Sequence, residues 1–323
     1  MLLRVFLAGA WLALLVTPAA AHVRGGLPEW DGTPDPVALR ALEEGRRDEV
    51  DRALRGRQWE RAARLLVTEI ERGPASPELL KLLAGVFMRD RKPLNAAIAI
   101  KKAEALGPLD HGTRFQLALA FIAMHRGDWA RPELQQLAAA EPANVLYAYW
   151  LGRIDYDAGL YESAVRHFED VVARQPSFMR AYDNLGLCYE ALNQPETAIA
   201  KYRMAIRLNR DTEEHSPWPP LNLGILLRTR GDLAEADALF REALSYDAQF
   251  APAHYQRGTL LEHAGRVEEA IAALRRAADL DDSYAEPHYA LARIYRRQGR
   301  RAEADAALVA FKHLQDARRP GQP

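Results

Sequence analysis

Catalysis needs reactive side chains that converge, and in this chain they are sparse. His254 and His288 lie 34 residues apart. Two imidazoles brought together could hold a metal or pass a proton. Cys188 is the single cysteine of 323 residues, so no internal disulfide can form. With no cation beside it to favour the thiolate, it reads as a small apolar side chain in a helix. Acid pairs such as Asp281-Asp282 fall in turns, where carboxylates cap helices and solvate the chain. His22 could pair a terminal amine with its imidazole on copper, but the stretch behind it supplies no further ligand. No nucleophile elbow, phosphate loop or zinc-helix motif occurs. The sequence therefore predicts no catalytic residue, no metal site and no cofactor; the chain does not read as an enzyme.

The elements that would position any site are helical. Residues 181–210 (AYDNLGLCYEALNQPETAIAKYRMAIRLNR) read as two helices broken near Asn193. Leu185, Gly186 and Tyr189 share one helical face, and Ala198, Tyr202, Ala205 and Ile206 share another. Gly186 and Ala198 are small where the two helices would cross, which lets their axes approach. Such a hairpin is apolar on both sides and cannot bury itself alone. It needs neighbours.

The neighbours are in the sequence. Small anchors like Gly186 recur at Val50, Ala84, Ala120, Gly152, Gly224, Gly258 and Ala292, at spacings of 34, 36, 32, 34, 38, 34 and 34. Twelve residues after each anchor come Ala62, Ala96, Pro132, Ala164, Ala198, Ala236, Ala270 and Ala304. The pattern Leu-Gly-x-x-Tyr, then Ala, then Phe or Tyr four later, resembles the tetratricopeptide repeat (TPR), and its phase covers residues 43–318. The resemblance implies an all-α, right-handed superhelical solenoid of about eight antiparallel helix pairs. It also implies a non-catalytic protein-binding scaffold.

Several details refine the array. The first repeat is polar enough to serve as a terminal cap. Pro132 replaces the expected alanine, so the second helix of repeat three is expected to begin late, at Arg131 or Pro132. Trp59, Trp129 and Tyr161 read as one equivalent place, structural filler at the start of second helices. Gly159, Gly231, Gly265 and Gly299 stand where helix C-caps belong. The spacing of 38 leaves four extra residues within 211–220 (DTEEHSPWPP), expected to be a rigid loop carrying Trp218.

Residues 1–21 read as an export signal: Arg4, an apolar run from Val5 to Val16, and a small-residue cleavage site ending at Ala21. Twelve helical residues span about 18 Å, short of the hydrocarbon core of a bilayer. The mature chain would begin at His22 and be periplasmic or extracellular, with no membrane span after cleavage. Residues 22–42 read as a Gly/Pro-rich arm and lead-in, and 319–323 as a tail. A net charge of −1 gives no reason to expect a nucleic acid partner.

Stacked hairpins present an extended concave face lined, in the family, by first helices. One stripe of these helices carries Tyr149, Arg153, Tyr156, Arg228, Tyr255, Tyr289 and Arg293, with Asn184, Asn222 and Gln256 beside it. In superhelical members of the family such asparagines hold peptide backbone amides. Here Trp150 and Ala290 interrupt that row, and Asp183 and Glu190 break the basic clamp that co-chaperone relatives use. The expected function is an exported scaffold that binds a protein partner or extended peptide on this stripe, with Asn184 and Asn222 facing solvent when empty. The alternative is a structural subunit of a cell-envelope assembly, associating through its convex face or by end-to-end stacking. The sequence leaves the oligomeric state open.

Overall fold

The computed structural model describes residues 39–40, 42–73 and 76–318. The expected export signal, most of the expected arm and the 319–323 tail lie outside the described residues. Among the described residues every regular element is a helix, and the sixteen follow one another in the chain as eight successive pairs, hairpins one to eight. These are α1 (Glu44–Arg55) with α2 (Trp59–Arg72), α3 (Pro77–Arg89) with α4 (Pro93–Glu104), and α5 (His111–Ala123) with α6 (Gly127–Ala140). Then come α7 (Val145–Asp157) with α8 (Tyr161–Arg174), α9 (Met179–Ala191) with α10 (Pro195–Arg210), and α11 (Trp218–Arg230) with α12 (Leu233–Tyr246). The last are α13 (Ala251–His263) with α14 (Val267–Leu280) and α15 (Ala285–Arg297) with α16 (Arg301–Arg318). Residues up to Ala130 make one compact unit and those from Arg131 a second.

Local chemistry sets the helix ends. Side chains of Ser76, Asp110 and Asn144 accept bonds from backbone N–H groups in the first turns of α3, α5 and α7. Prolines open α4 and α10, where no intrahelical donor is needed. Each first helix is closed by one residue in the left-handed region: Arg57, Arg91, His125, Gly159, Asn193, Gly231, Gly265 and Gly299, with φ between 53° and 90°. The next residue bonds back across the last turn, as Gln194 N–H does to the Tyr189 carbonyl at 2.8 Å. The four glycines expected as closures take that place, and the other four closures are Arg57, Arg91, His125 and Asn193.

These closures correct the register of the third repeat. His125 lies seven residues after Ala118, the offset that separates Gly159 from Gly152 and Asn193 from Gly186. The anchor is therefore Ala118, not Ala120, and its partner is Ala130, not Pro132; Ala118 and Ala130 are fully buried. The irregular spacings of 36 and 32 become 34 and 34, and all eight partner positions are alanine. Pro132 sits inside α6 and does not delay it. Trp129 is thus two residues out of step with Trp59 and Tyr161, which open α2 and α8. It is half exposed, lying under the Arg126 guanidinium at 3.5 Å and edge-on to Phe121.

In the first unit, Leu39 and Leu42 join α1, α2 and α3 in one core cluster, so the lead-in packs before the first helix begins. The second unit is built on close helix crossings. A β-carbon on Gly152, Gly186, Gly224 or Gly258 would fall 2.4–2.8 Å from the ring of Phe168, Tyr202 or Phe240 or from Leu274, in each case the residue sixteen further on. The glycines let these side chains lie against the first helix's backbone, and all four are fully buried.

The extra residues between hairpins five and six form a packed elbow. Asn209 is fully buried; its Nδ2 donates to the Ser216 carbonyl and its Oδ1 accepts from Ser216 N–H, at 2.9 and 2.7 Å. His215 stacks near Tyr246, with centroids 4.6 Å apart. Trp218, Pro219 and Pro220 are not loop, as expected, but the first turn of α11, with Trp218 edge-on to Phe250.

Candidate functional site

In the second unit the first helices of successive hairpins meet directly: α7 with α9, α9 with α11, α11 with α13, and α13 with α15. Second helices of successive hairpins do not meet this way among the described residues. First helices therefore line the tighter, inner side of that unit, and all ten predicted stripe residues lie on them.

The N-terminal half of the stripe is closed. Tyr149 is 5% exposed, its ring centroid 5.2–5.7 Å from those of Trp150, Phe168 and Phe178. Asn184 is 4% exposed and does not face solvent as expected. Its Nδ2 donates to the Arg180 carbonyl at 2.7 Å and to the Tyr149 hydroxyl at 3.3 Å; its Oδ1 accepts from Arg153 Nη1 at 2.8 Å. The preceding hairpin supplies the tyrosine and the arginine that cover this amide. Tyr156 is half-buried against Tyr161, and burial pushes its phenol up to about 12.

One hairpin on, Asn222 Nδ2 donates to both oxygens of Asp183 at 3.1 and 3.2 Å. Burial raises the Asp183 carboxyl to about 6, against the pull of the Asn222 bond and the Arg153 charge. Both bridges follow one diagonal: the residue three before an anchor meets the residue two before the next. Their separations of 35 and 39 are each one more than the local repeat spacing. A search for polar pairs at repeat-plus-one would have found them; reading each hairpin singly did not.

The next step of the diagonal sets Leu221 against Gln256. Leucine offers no bond, and Gln256 Oε1 is buried without a partner. Arg228, on the same helix as Leu221, buries Nε without a partner as well. Tyr255 lies half-buried between them and the last hairpin, its ring 5.3 Å from Tyr284. Burial raises its phenol, which also feels the charges of Glu286, Arg228, Arg293 and Glu262. Arg293 bonds Glu262 at 2.5 Å, and Arg297 bonds the same carboxylate. Tyr289 is 51% exposed, with Phe311 behind it at 5.1 Å.

The residues first considered for chemistry take structural places. Cys188 is fully buried, and burial pushes its thiol up to about 12. His254 Nε2 lies 3.1 Å from the Ala248 carbonyl, and burial lowers His288. Among the described residues, no group of three or more His, Cys, Asp or Glu is placed to hold a metal ion. No described helix is long and apolar enough to cross a membrane.

Family comparison agrees with this architecture. The tetratricopeptide repeat profile matches residues 47–111, 152–211 and 221–285, and a second profile of the same repeat matches 288–310. The chain belongs to the tetratricopeptide repeat family. A search of curated proteins gives no match. Among solved structures the chain is similar to yeast Tom70, with a TM-score of 0.65 and 18% identity over 85% of this chain and 61% of that one. It is similar to the APC/C hetero-tetramer Cut9-Hcn1 (TM-score 0.60, 15% identity, 85% of this chain and 54% of that one). It is also similar to PilW, a type IV pilus biogenesis factor (TM-score 0.56, 18% identity, 63% and 92%). At these identities the likeness concerns the fold, and the chain spans only part of the Tom70 and Cut9-Hcn1 chains.

Proposed function

We propose that the protein is a non-catalytic, exported scaffold that holds an extended segment of a protein partner on the inner face of its second unit. The contact region is centred on hairpins six to eight, at Arg228, Tyr255, Gln256, Tyr289 and Arg293. Tyr149, Arg153, Tyr156, Asn184 and Asn222 form the ordered base on which that region stands. The observation that carries the reading is that Asn184 and Asn222 are bonded across the hairpin seams, whereas at the equivalent place Gln256 Oε1, and near it in the stripe Arg228 Nε, are buried without a partner. A buried polar group without a bond costs about 1–3 kcal/mol, which a partner's backbone and side chains can recover. Tyrosine and arginine around such groups are the residue types that dominate binding energy at interfaces.

End-to-end stacking has less support. Where α14 buries Ile271 and Ala278 against the next hairpin, α16 carries exposed Asp305 and Lys312 at the same offset. That face is wetted as a terminal cap is.

The test is titration of a co-purified partner. Gln256→Ala and Tyr255→Leu should each weaken binding several-fold, while the outer-face change Arg276→Ala should leave it unchanged. Equal affinity for all three variants and the parent would remove the inner face from consideration.

A further inference from the structure

We infer that the segment bound on this face presents a carboxylate, which seats on Arg228 between α11 and α13. The inference rests on the inner-face reading above and adds the chemistry of the ligand.

Arg228 is half-buried and makes no hydrogen bond or ion pair among the described residues. Other arginines of the second unit that are similarly covered each have at least one partner, although Arg153 also buries Nη2 without a hydrogen bond. Arg153 has Asn184 and, at 3.8 Å, Asp157; Arg257 has Asp237 at 3.1 Å. The acids at the equivalent position of the flanking hairpins are engaged elsewhere. Glu190 accepts from the Tyr202 hydroxyl, and Glu262 accepts from Arg293 and Arg297. Hairpins six to eight therefore present Arg228, Arg293, Arg296 and Arg297 along this stripe against Glu262 and Glu286, leaving a positive excess in which the half-buried Arg228 and the exposed Arg296 are unmatched.

A guanidinium held in a partly dry site gains most from a planar oxyanion that takes two parallel N–H bonds. On the neighbouring helix α13, Gln256 can accept a backbone N–H of the same segment, and Tyr255, which feels the Arg228 charge, supplies a flat apolar wall. An acidic side chain in an extended peptide meets all three requirements together. A neutral peptide leaves Arg228 covered and unpaired, at a cost in affinity.

The experiment is selection of a random dodecapeptide display library on the full chain and on Arg228→Gln, followed by fluorescence anisotropy of the enriched peptides. Melting curves by circular dichroism establish that the variant is folded. Expected are peptides with Asp or Glu at one fixed position, bound at least tenfold more weakly by Arg228→Gln, and weakened equally when that acid is changed to its amide. Peptides with no fixed acid that bind Arg228→Gln normally but lose affinity on Gln256→Ala would overturn the carboxylate while leaving the inner face in place. Enriched peptides indifferent to both substitutions would overturn the inner-face reading, and this inference with it.

Discussion

Asn222 spans two hairpins to donate to both oxygens of Asp183, a carboxyl only 8% exposed. The bond favours the charged carboxylate, but burial outweighs it and sets the group near 6, above its ordinary value of 3.8. Arg153 and Tyr149 on α7, Tyr202 on α10 and Asn222 on α11 are the polar groups that face it.

A raised folded-state value means that the group's contribution is fully present below the unfolded value and is lost as pH rises through about 6. The rise from 3.8 to about 6 amounts to roughly 3 kcal/mol. Asp183→Asn keeps an acceptor for Asn222 and removes the titration. The variant should be more stable than the parent at pH 8, and the difference should vanish near pH 4. Urea unfolding of both proteins across that range measures it; a difference independent of pH would show that Asp183 does not carry the effect.

The glycine crossings should be intolerant even of a methyl group. A β-carbon on Gly186 would lie 2.4 Å from the Tyr202 ring, which is fully buried and cannot withdraw. Gly186→Ala is expected to cost about 1–3 kcal/mol, and Ala198→Leu, at the matching small site, a similar amount. Gly186→Ala with Tyr202→Leu should be less damaging than the sum of the two alone, because the smaller side chain clears the clash. Strict additivity in denaturant unfolding would show that the two residues do not press on each other.

The hairpins were legible because one period repeats eight times, so each position is tested by its neighbours. The third repeat slipped because Leu117-Ala118 and Leu119-Ala120 both offer a leucine before a small residue. The tie is broken by His125 in the left-handed region, and histidine gives no stop signal in a sequence. The inner face was legible as a set of positions but not as a set of bonds. The partners of Asn184 lie 31 and 35 residues earlier, and its burial follows from the reach of Arg153 and Tyr149 across a hairpin seam.

The elbow between hairpins five and six should depend on one side chain. Asn209→Ala removes both bonds to Ser216 and leaves that residue's N–H and carbonyl without their partner. About 1–3 kcal/mol is expected for each group left dry. Hydrogen exchange should quicken across residues 211–217 and at the start of α11, while hairpins seven and eight stay protected. Unchanged exchange at Ser216 would mean that the elbow holds without Asn209.

Reading residues 1–21 as an export signal makes a separate prediction. Val5 to Val16 is too short to span a bilayer, and Ala19 and Ala21 suit cleavage before His22. Intact-mass measurement of the protein purified from its own organism should give a chain that starts at His22. Retention of Met1 in a membrane fraction would identify the segment as an anchor instead.

Asn184 and Gln256 occupy equivalent places two residues before their anchors, yet their substitution should have opposite consequences. Asn184 is closed in by three bonds. Asn184→Ala would strip Arg153 and Tyr149 of their shared partner inside the protein, so it should lower stability by about 1–3 kcal/mol or more. Gln256 Oε1 has no bond to lose. Gln256→Ala removes a buried acceptor that has no bond, so it should leave stability unchanged or raise it by up to about 1–3 kcal/mol and lower only the affinity for a bound peptide. Parallel measurement of melting and of peptide affinity for the two variants separates the roles. If Asn184→Ala melts with the parent and loses binding instead, the amide serves the partner rather than the fold, and the contact region extends back to hairpin five.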